Sequence, residues 1–247
     1  MKNIEEEMAV QSFCFRNFKD NEVVAQKVKD IGLSKIELCG VHVDFANKEE
    51  SKKVLDIYQK AGVDIVSIGV NQLSNKPEEE KFLYEFSIEA VANYMSVDFA
   101  PNSVPEAYKT AEKMAADYDL KLAIHNHGGR HWLGNSQILE TVFEKTNDRI
   151  GLCLDTAWAL DAGENPIEMA KKFKDRLYGV HYKDFNFNNA RKPEDVVVGT
   201  GNLDLASLID FLKDINFEGM SVLEYEGDVE NPVPSLSKCV DSMKKEW

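Results

Sequence analysis

The sequence has no long apolar stretches and no excess of positive charge. No run in its 247 residues approaches the roughly 20 apolar residues of a membrane span, and residues 1–8 contain no apolar core of an export signal. Asp and Glu number 43 against 29 Lys and Arg, and the net charge of −14 repels both nucleic-acid backbones and anionic lipid surfaces. We therefore expect a cytoplasmic protein whose partners include neither nucleic acid nor a membrane.

Cysteine is also scarce, with four residues in the chain. The cysteines share no CxxC spacing, and Cys14, Cys39 and Cys153 lie in strand-like apolar runs. They are predicted to be reduced thiols buried in the core, which excludes a disulfide framework and a cysteine-based zinc site.

The chain is built on a regular alternation of short apolar runs with amphipathic helical stretches, repeated eight times. Such alternation favours strand and helix units on a parallel sheet, and the chain has about the length of one eight-unit barrel. No linker or low-complexity tract interrupts it, so we predict one domain over residues 1–247, an α/β fold that is a single (β/α)8 TIM barrel with a parallel eight-stranded sheet. The predicted strands are 8–15, 35–39, 64–70, 94–100, 120–126, 150–155, 177–183 and 220–225.

Residues with metal-ligand side chains lie at the ends of the last four predicted strands. They are His125, Asp155, His181 and Glu224. In a parallel barrel the carboxyl ends of the strands meet at one face, which is the face that carries the chemistry. Two imidazoles and two carboxylates suit a borderline divalent ion, so we predict that these side chains bind one Zn²⁺, Mn²⁺, Co²⁺ or Fe²⁺ ion.

Side-chain alternation leaves the ligands open at two of these strands. His125 and His127 face the same side of their strand, as do Glu224 and Glu226, so alternation does not decide which member of each pair binds the metal. Glu37 ends the second predicted strand and is expected to reach the same mouth of the barrel and contact substrate.

Two long predicted loops follow strands that carry candidate ligands, and we expect them to cover the substrate. They are residues 128–135 and residues 184–203. Aromatic side chains near the mouth suit stacking on the apolar faces of a sugar ring, so a small-molecule sugar substrate is predicted. Its predicted contacts are His127, Trp132, Trp158 and His42. The segment Gly199-Thr-Gly201 leaves open whether that sugar carries a phosphate.

Four short motifs carry a family resemblance: His181-Tyr-Lys-Asp184, Gly199-Thr-Gly-Asn-Leu-Asp204, Leu223-Glu-Tyr-Glu226 and Leu154-Asp-Thr156. With them the chain resembles, over nearly its whole length, the sugar phosphate isomerase/epimerase family of xylose isomerase-like TIM barrels. In that family the residues that hold the metal at the ends of strands five to eight are usually Glu, Asp, His and Glu. They map onto His125, Asp155, His181 and Glu224. His125 departs from this pattern, and so does Trp158, where relatives often have His.

The resemblance implies a metal-dependent sugar or sugar phosphate isomerase or epimerase. Such enzymes act by proton abstraction next to a carbonyl and form a metal-held enediolate. We assign Glu224 as the general base, His125 or His127 as its partner acid, and Lys183 as the group that steadies a substrate oxygen.

Two other functions remain open at this point. A keto-sugar lyase or hydratase is favoured by the missing glutamate on strand five, because elimination needs one base on carbon and an acid for the leaving group. A non-catalytic sugar-binding barrel would bind its ligand without turnover. The sequence also leaves open whether the protein forms a homo-oligomer.

Overall fold

Eight strands close into a parallel barrel surrounded by helices, which confirms the predicted fold class. The computed structural model describes residues 3–128 and 130–247. Its strands are β1 (Met8–Gln11), β2 (Lys35–Leu38), β3 (Asp64–Leu73), β4 (Tyr94–Phe99), β5 (Leu122–His125), β6 (Ile150–Asp155), β7 (Leu177–Tyr182), β8 (Asp184–Phe187), β9 (Pro193–Val196) and β10 (Met220–Leu223). The order around the barrel is β1, β10, β7, β6, β5, β4, β3, β2, so the fifth to eighth barrel strands are β5, β6, β7 and β10.

Helices cover the outside of the barrel. They are α1 (Ile4–Glu7), α2 (Asn21–Asp30), α3 (Lys48–Ala61), α4 (Pro77–Glu89), α5 (Glu106–Asp117), α6 (Ser136–Phe143), α7 (Thr156–Asp161), α8 (Pro166–Lys172), α9 (Leu205–Asp214) and α10 (Val233–Glu246). In α9, Leu205, Leu208 and Leu212 are buried along one face, and Asp204 caps the helix by accepting the N–H of Ser207 at 3.2 Å. The larger apolar core therefore lies between the sheet and the helices.

A smaller apolar cluster fills the inside of the barrel. Ala9, Ala123, Cys153 and Val222 contribute to it from β1, β5, β6 and β10. Because side chains alternate between the two faces of a strand, the residues two positions later also point inward, nearer the carboxyl ends of the strands. Those residues are Gln11, His125, Asp155 and Glu224.

Most predicted strands differ from the observed ones by one to three residues at one or both ends, and two segments differ more strongly. The first strand ends at Gln11, and the residues that follow, Ser12–Phe15, form a 3-10 turn. The Gln11 side chain accepts the N–H of Phe13 at 3.1 Å, which caps this turn and ends the strand. The loop predicted over 184–203 contains an antiparallel hairpin of β8 and β9, which the sequence pattern did not predict.

The cysteines are buried free thiols, as predicted. Burial raises the pKa of the Cys14 and Cys153 thiols, so they behave as small apolar core groups. No helix in the described ranges combines the length and apolarity needed to cross a membrane. Residues 1, 2 and 129, which belong to the predicted domain, lie outside the described residues.

Candidate metal centre

The four predicted metal ligands converge at the carboxyl ends of the barrel strands. His125 and Asp155 are the last residues of β5 and β6, His181 lies in β7, and Glu224 directly follows β10. One donor atom from each lies within 4.8 Å of the others, and all four side chains are buried. The parallel register contributes to this arrangement, because it places Asp155 beside His181.

The donor atoms are spaced much as the ligands of one small cation would be. His125 Nε2 lies 3.2 Å from His181 Nδ1, 3.5 Å from Asp155 Oδ2 and 4.0 Å from Glu224 Oε2. Tetrahedral ligands about 2.0–2.2 Å from a metal stand roughly 3.3–3.6 Å apart, close to the first two distances. His181 Nδ1 and Glu224 Oε2 lie 2.6 Å apart and form a hydrogen bond.

Asp155 has one carboxylate oxygen in a hydrogen bond and one without. Its Oδ1 accepts the N–H of Trp158 at 2.8 Å and so caps α7. Asn126 fixes the backbone of Asp155 by accepting its N–H at 2.8 Å and donating to its carbonyl at 3.0 Å. Over residues 3–128 and 130–247, the buried Oδ2 has no hydrogen bond, and its near polar contact is His125 Nε2 at 3.5 Å. An unpaired buried carboxylate oxygen is costly, so this atom fits a bound cation.

Glu37 lies against His181 on the inner side of the barrel. Its Oε1 is 3.0 Å from His181 Nε2, and the carboxylate accepts hydrogen bonds from Gln11, Ser67 and Tyr94 at 2.6, 2.6 and 2.9 Å. These contacts enclose the Glu37 side chain completely. A carboxylate at one ring nitrogen of a histidine directs the other nitrogen toward a metal, here Nδ1.

The charges in the centre compensate one another. Burial alone would lower the pKa of His181, but the Glu37 carboxylate and the hydrogen bond to Glu224 raise it well above its ordinary value. Burial would raise the pKa of Glu224, but the Lys183 ammonium holds it well below its usual range. Burial would lower the pKa of Lys183, but Glu224 and neighbouring carboxylates raise it. Glu224 and Lys183 are therefore both charged although buried.

Lys183 lies beside Glu224, on the side of the opening. Its Nζ contacts Glu226 Oε1 and is 3.5 Å from Glu224 Oε1. The same Nζ lies 5.1 Å from the centre of the Trp158 ring and 5.7 Å from that of Phe185. The two residues predicted as base and oxygen-binding group are thus neighbours.

Of the four predicted substrate contacts, His127 and Trp158 lie beside the centre, and Trp132 lies at the end of β4. The His127 ring lies 4.6 Å from that of His125, and burial, with the nearby His125 and His131, lowers the pKa of His127 to about 3. Trp132 donates from Nε1 to the carbonyl of β4 residue Phe99 at 3.1 Å, which anchors its loop at the mouth. Trp158 lies beside Lys183.

His42 is placed elsewhere. Its Nε2 lies 3.0 Å from the Phe18 carbonyl and 3.4 Å from the Phe15 carbonyl, and its Nδ1 faces Cys39 at 3.8 Å. Burial lowers the pKa of this imidazole. The structure therefore does not bring His42 together with the four ligands.

The backbone N–H groups of Gly199 and Gly201 bind the carboxylate of Asp184. The backbone N–H groups of Gly199, Gly201 and Leu203 donate to the carboxylate of Asp184 at 3.0, 2.8 and 2.9 Å. A Cβ at Gly201 would lie 2.5 Å from Asp184 Oδ1, so only glycine fits this close approach. These amides are already engaged, and the segment does not form a phosphate cradle.

Sequence reasoning missed Asp98 at the mouth. This residue is the fifth of the six in β4, and its buried carboxylate faces His131 and Gln72. The sequence signal was present here as well. Asp98 is a carboxylate near the carboxyl end of a barrel strand, as Asp155 and Glu224 are.

The sequence model of the family described as "Xylose isomerase-like TIM barrel" matches residues 101–245. An inosose dehydratase from Clostridium botulinum is 26% identical over 137 residues, which cover 49% of the chain and 46% of that relative. An inosose dehydratase from Clostridium beijerinckii is 22% identical over 270 residues, covering 97% of the chain and 89% of the relative. The first alignment thus spans less than half of its relative, and the second spans most of it. Both relatives are named as enzymes.

Two solved structures illustrate the likeness of fold. IOLI protein with a bound zinc atom has a TM-score of 0.77 and 16% identity, covering 98% of this chain and 99% of that one. The apo form of 3-keto-D-glucoside 4-epimerase, YcjR, from E. coli has a TM-score of 0.73 and 16% identity, covering 97% and 99%. At such identities the likeness shows the barrel fold alone.

Proposed function

Because the chain belongs to the xylose isomerase-like TIM barrel family, we propose that it is a metal-dependent enzyme acting on a small polyhydroxylated carbonyl compound, a sugar or a cyclitol. It removes a proton from the carbon beside the carbonyl. The observation that carries this proposal is the convergence of four buried donor atoms within 4.8 Å. We also propose that residues 1–247 form a single domain.

The residues that would hold the cation are His125, Asp155, His181 and Glu224. Their two imidazole nitrogens and two carboxylate oxygens suit Zn²⁺, Mn²⁺, Co²⁺ or Fe²⁺, and the unpaired Asp155 Oδ2 supports the assignment. A zinc atom in the similarly folded IOLI protein is consistent with this set. When bound, the divalent cation would supply Lewis acidity that makes a proton beside a substrate carbonyl easier to remove.

Glu224 is the proposed general base. Its Oε2 faces the other donor atoms, whereas its Oε1 faces Lys183 Nζ at 3.5 Å. The nearby ammonium keeps the carboxylate ionised, so Oε1 is able to accept a proton from carbon. The proton acceptor and the cation ligands thus lie in one buried cluster.

Lys183 is proposed to donate a hydrogen bond to a substrate oxygen. Its ammonium is buried between Glu224 and Glu226 and stays charged there, so it stabilises negative charge that develops on an oxygen nearby. His127 is proposed to contact substrate. Its low pKa of about 3 keeps the imidazole neutral, with one N–H to donate and one nitrogen to accept.

Trp158 and Trp132 are proposed to shield the reacting carbon from water. Trp158 is closely packed on two sides. A Cβ at Gly128 would lie 2.7 Å from the Trp158 ring, so the backbone approaches it closely there, and the centre of the Phe185 ring lies 5.0 Å from that of Trp158. Trp132 anchors the neighbouring loop on the Phe99 carbonyl. Indole faces at the mouth also suit the apolar face of a sugar ring.

Two outcomes follow from the same first step. Return of the proton to carbon gives isomerisation or epimerisation, the activity named for the similarly folded E. coli epimerase. Loss of a neighbouring hydroxyl gives dehydration, the activity named for the curated relatives. Dehydration is favoured by His125, because the site then has one metal-ligating glutamate as base and Lys183 beside it to assist a leaving oxygen.

Hydrogen exchange tests the proposed step. The zinc- or manganese-loaded protein is incubated in D₂O with inosose, D-tagatose and D-fructose, and deuterium at carbon is followed by NMR. We expect exchange by the wild type, loss of at least 100-fold in Glu224→Gln, and no change in the control Glu89→Gln on the exposed side of α4. Undiminished exchange in Glu224→Gln would remove Glu224 as the base. Mass analysis for loss of water distinguishes dehydration from epimerisation.

A further inference from the structure

A second ring of side chains lies above the metal ligands, nearer the opening. Alternation places the residues two positions after His125, His181 and Glu224 on the same inner side. These residues are His127, Lys183 and Glu226. These three lie on the half of the barrel that carries the cation ligands. A substrate whose carbonyl faces that cluster extends over this ring.

The other half of the ring contains Asp98. Tyr94, four residues earlier in β4, reaches Glu37 inside the barrel with its hydroxyl at 2.9 Å, so Asp98 also points inward. In the β3–β4 register Gln72 is the partner of Asp98, and its amide donates to Asp98 Oδ2 at 3.2 Å. Asp98 is 8% exposed, which leaves it covered but next to the opening.

In the part of the chain that the structure describes, no lysine or arginine lies within ion-pair distance of the Asp98 carboxylate. Its Oδ1 accepts the N–H of Phe99 at 2.7 Å, and His131 Nε2 lies 3.5 Å from Oδ2. Among residues 3–128 and 130–247, His131 alone lies within ion-pair distance of this carboxylate. The carboxylate therefore has the capacity to accept another hydrogen bond.

Two of the cations near the mouth are already engaged by groups of the protein itself. Lys183 is already paired with Glu226 and lies near Glu224. Arg16 donates to the backbone carbonyls of Phe13 at 3.1 Å and Glu226 at 2.7 Å. A phosphate or carboxylate placed across the ring from Lys183 would face the Asp98 carboxylate, and two like charges repel each other.

We propose that Asp98 is a specificity-determining residue that accepts a hydrogen bond from a substrate hydroxyl across the mouth from Lys183. In that position it selects neutral polyhydroxylated substrates over their phosphorylated or carboxylated counterparts. The inference rests on the proposed function, since it takes the same mouth as the substrate site. His131 and Gln72 are positioning residues, because they hold the Asp98 carboxylate from two sides.

Matched ligand pairs test this proposal without turnover. Dissociation constants of D-tagatose and D-tagatose 6-phosphate, and of D-fructose and D-fructose 6-phosphate, are measured by calorimetry on the zinc-loaded protein. We expect the neutral member of a pair to bind at least about tenfold more tightly to the wild type, the effect of one unscreened like charge nearby. Asp98→Asn should weaken the neutral sugar and reduce the selectivity ratio about tenfold, whereas Asp210→Asn on exposed α9 should change neither.

A purely structural role of Asp98 in holding the 128–135 loop predicts another result. In Asp98→Asn both members of a pair would then weaken equally, and the selectivity ratio would stay that of the wild type. That outcome overturns the proposal. The proposal is also overturned if the wild type binds neutral and phosphorylated sugars equally well, or if it binds neither. Asp98→Ser gives a second variant if Asp98→Asn does not fold. Selective binding without hydrogen exchange would count against the proposed reaction and leave the specificity role supported.

Discussion

Glu37 has a different environment from the one expected of a substrate contact. It was predicted at the mouth, but its carboxylate is enclosed by four side chains and faces His181 Nε2 at 3.0 Å. Removing a charged group that orients a metal-binding histidine typically costs 10–100-fold in metal affinity. We therefore interpret Glu37 as the residue that fixes the ring orientation of His181.

The variant Glu37→Gln tests this interpretation. We expect zinc affinity to fall about 10–100-fold, because a neutral amide stabilises the His181 N–H less than a carboxylate does. Competition with a chromophoric chelator measures the constant. Glu218→Gln, an exposed substitution between α9 and β10, serves as the control and should bind zinc like the wild type. Unchanged affinity in Glu37→Gln would show that His181 keeps its orientation without it.

The cluster of four candidate ligands could be predicted from the sequence, but the residues that surround and orient it could not. His125, Asp155, His181 and Glu224 end consecutive apolar runs, and a parallel barrel places such ends together. The contact of Glu37 with His181 depends on the β2–β3 register, which shifts between Ile36 and Glu37, and on residues from other strands. Sequence spacing along one strand gives no information on the register between strands or on contacts with residues of other strands.

At the scale of elements, the eight barrel strands were predictable and the β8–β9 hairpin was not. The barrel strands are apolar runs between amphipathic helices, which is a strong pattern. In contrast, β8 and β9 contain Asp184, Asn186, Pro193 and Asp195, residue types that are depleted in strands. The hairpin depends on tertiary contacts, such as the packing of Phe185 on Trp158.

Asp184 anchors the chain between the hairpin and α9. Because three backbone N–H groups donate to its buried carboxylate, Asp184→Asn should turn an amide NH₂ toward at least one of these donors. We expect the free energy of unfolding to fall by about 1–3 kcal/mol. Urea unfolding followed by circular dichroism measures it, with Asp210→Asn as the control. A change within error would mean that the 199–203 turn holds without this carboxylate.

Asp195 gives the hairpin a pH dependence. It accepts the Glu226 N–H at 3.2 Å, and burial raises its pKa from 3.8 to about 6. A carboxyl group whose pKa is raised on folding stabilises the fold below its unfolded pKa, and that contribution is lost as the pH rises through the folded value. The ionised side chain is therefore unfavourable at neutral pH.

The matching prediction concerns Asp195→Asn in metal-free protein. Asparagine can still accept the Glu226 N–H without the cost of burying a charge. Relative to the wild type, its free energy of unfolding should increase by about 1–2 kcal/mol between pH 4 and pH 7, after allowance for partial exposure. Urea titrations at several pH values measure this difference. A constant difference across the range would contradict the raised pKa.

At the scale of the whole molecule, the charge distribution favours a resident cation. The chain carries a net charge of −14, and the barrel buries the carboxylates of Glu37, Asp155 and Glu224 close together. The buried positive charges nearby are Lys183 and, until a metal displaces the proton on Nδ1, His181. A divalent ion at the centre would reduce this excess of negative charge, so metal binding should stabilise the entire fold.

Thermal unfolding with and without zinc tests this coupling. Binding to the folded state alone adds about 2.7 kcal/mol at a free zinc concentration 100 times the dissociation constant, so the melting temperature of chelator-treated protein should rise by several degrees. His125→Gln should lose most of this increase because it removes a ligand. His42→Gln replaces another buried histidine outside the centre, and should keep the full increase even if its own stability is lower. Equal zinc-induced increases in the two variants would place the zinc site elsewhere in the protein.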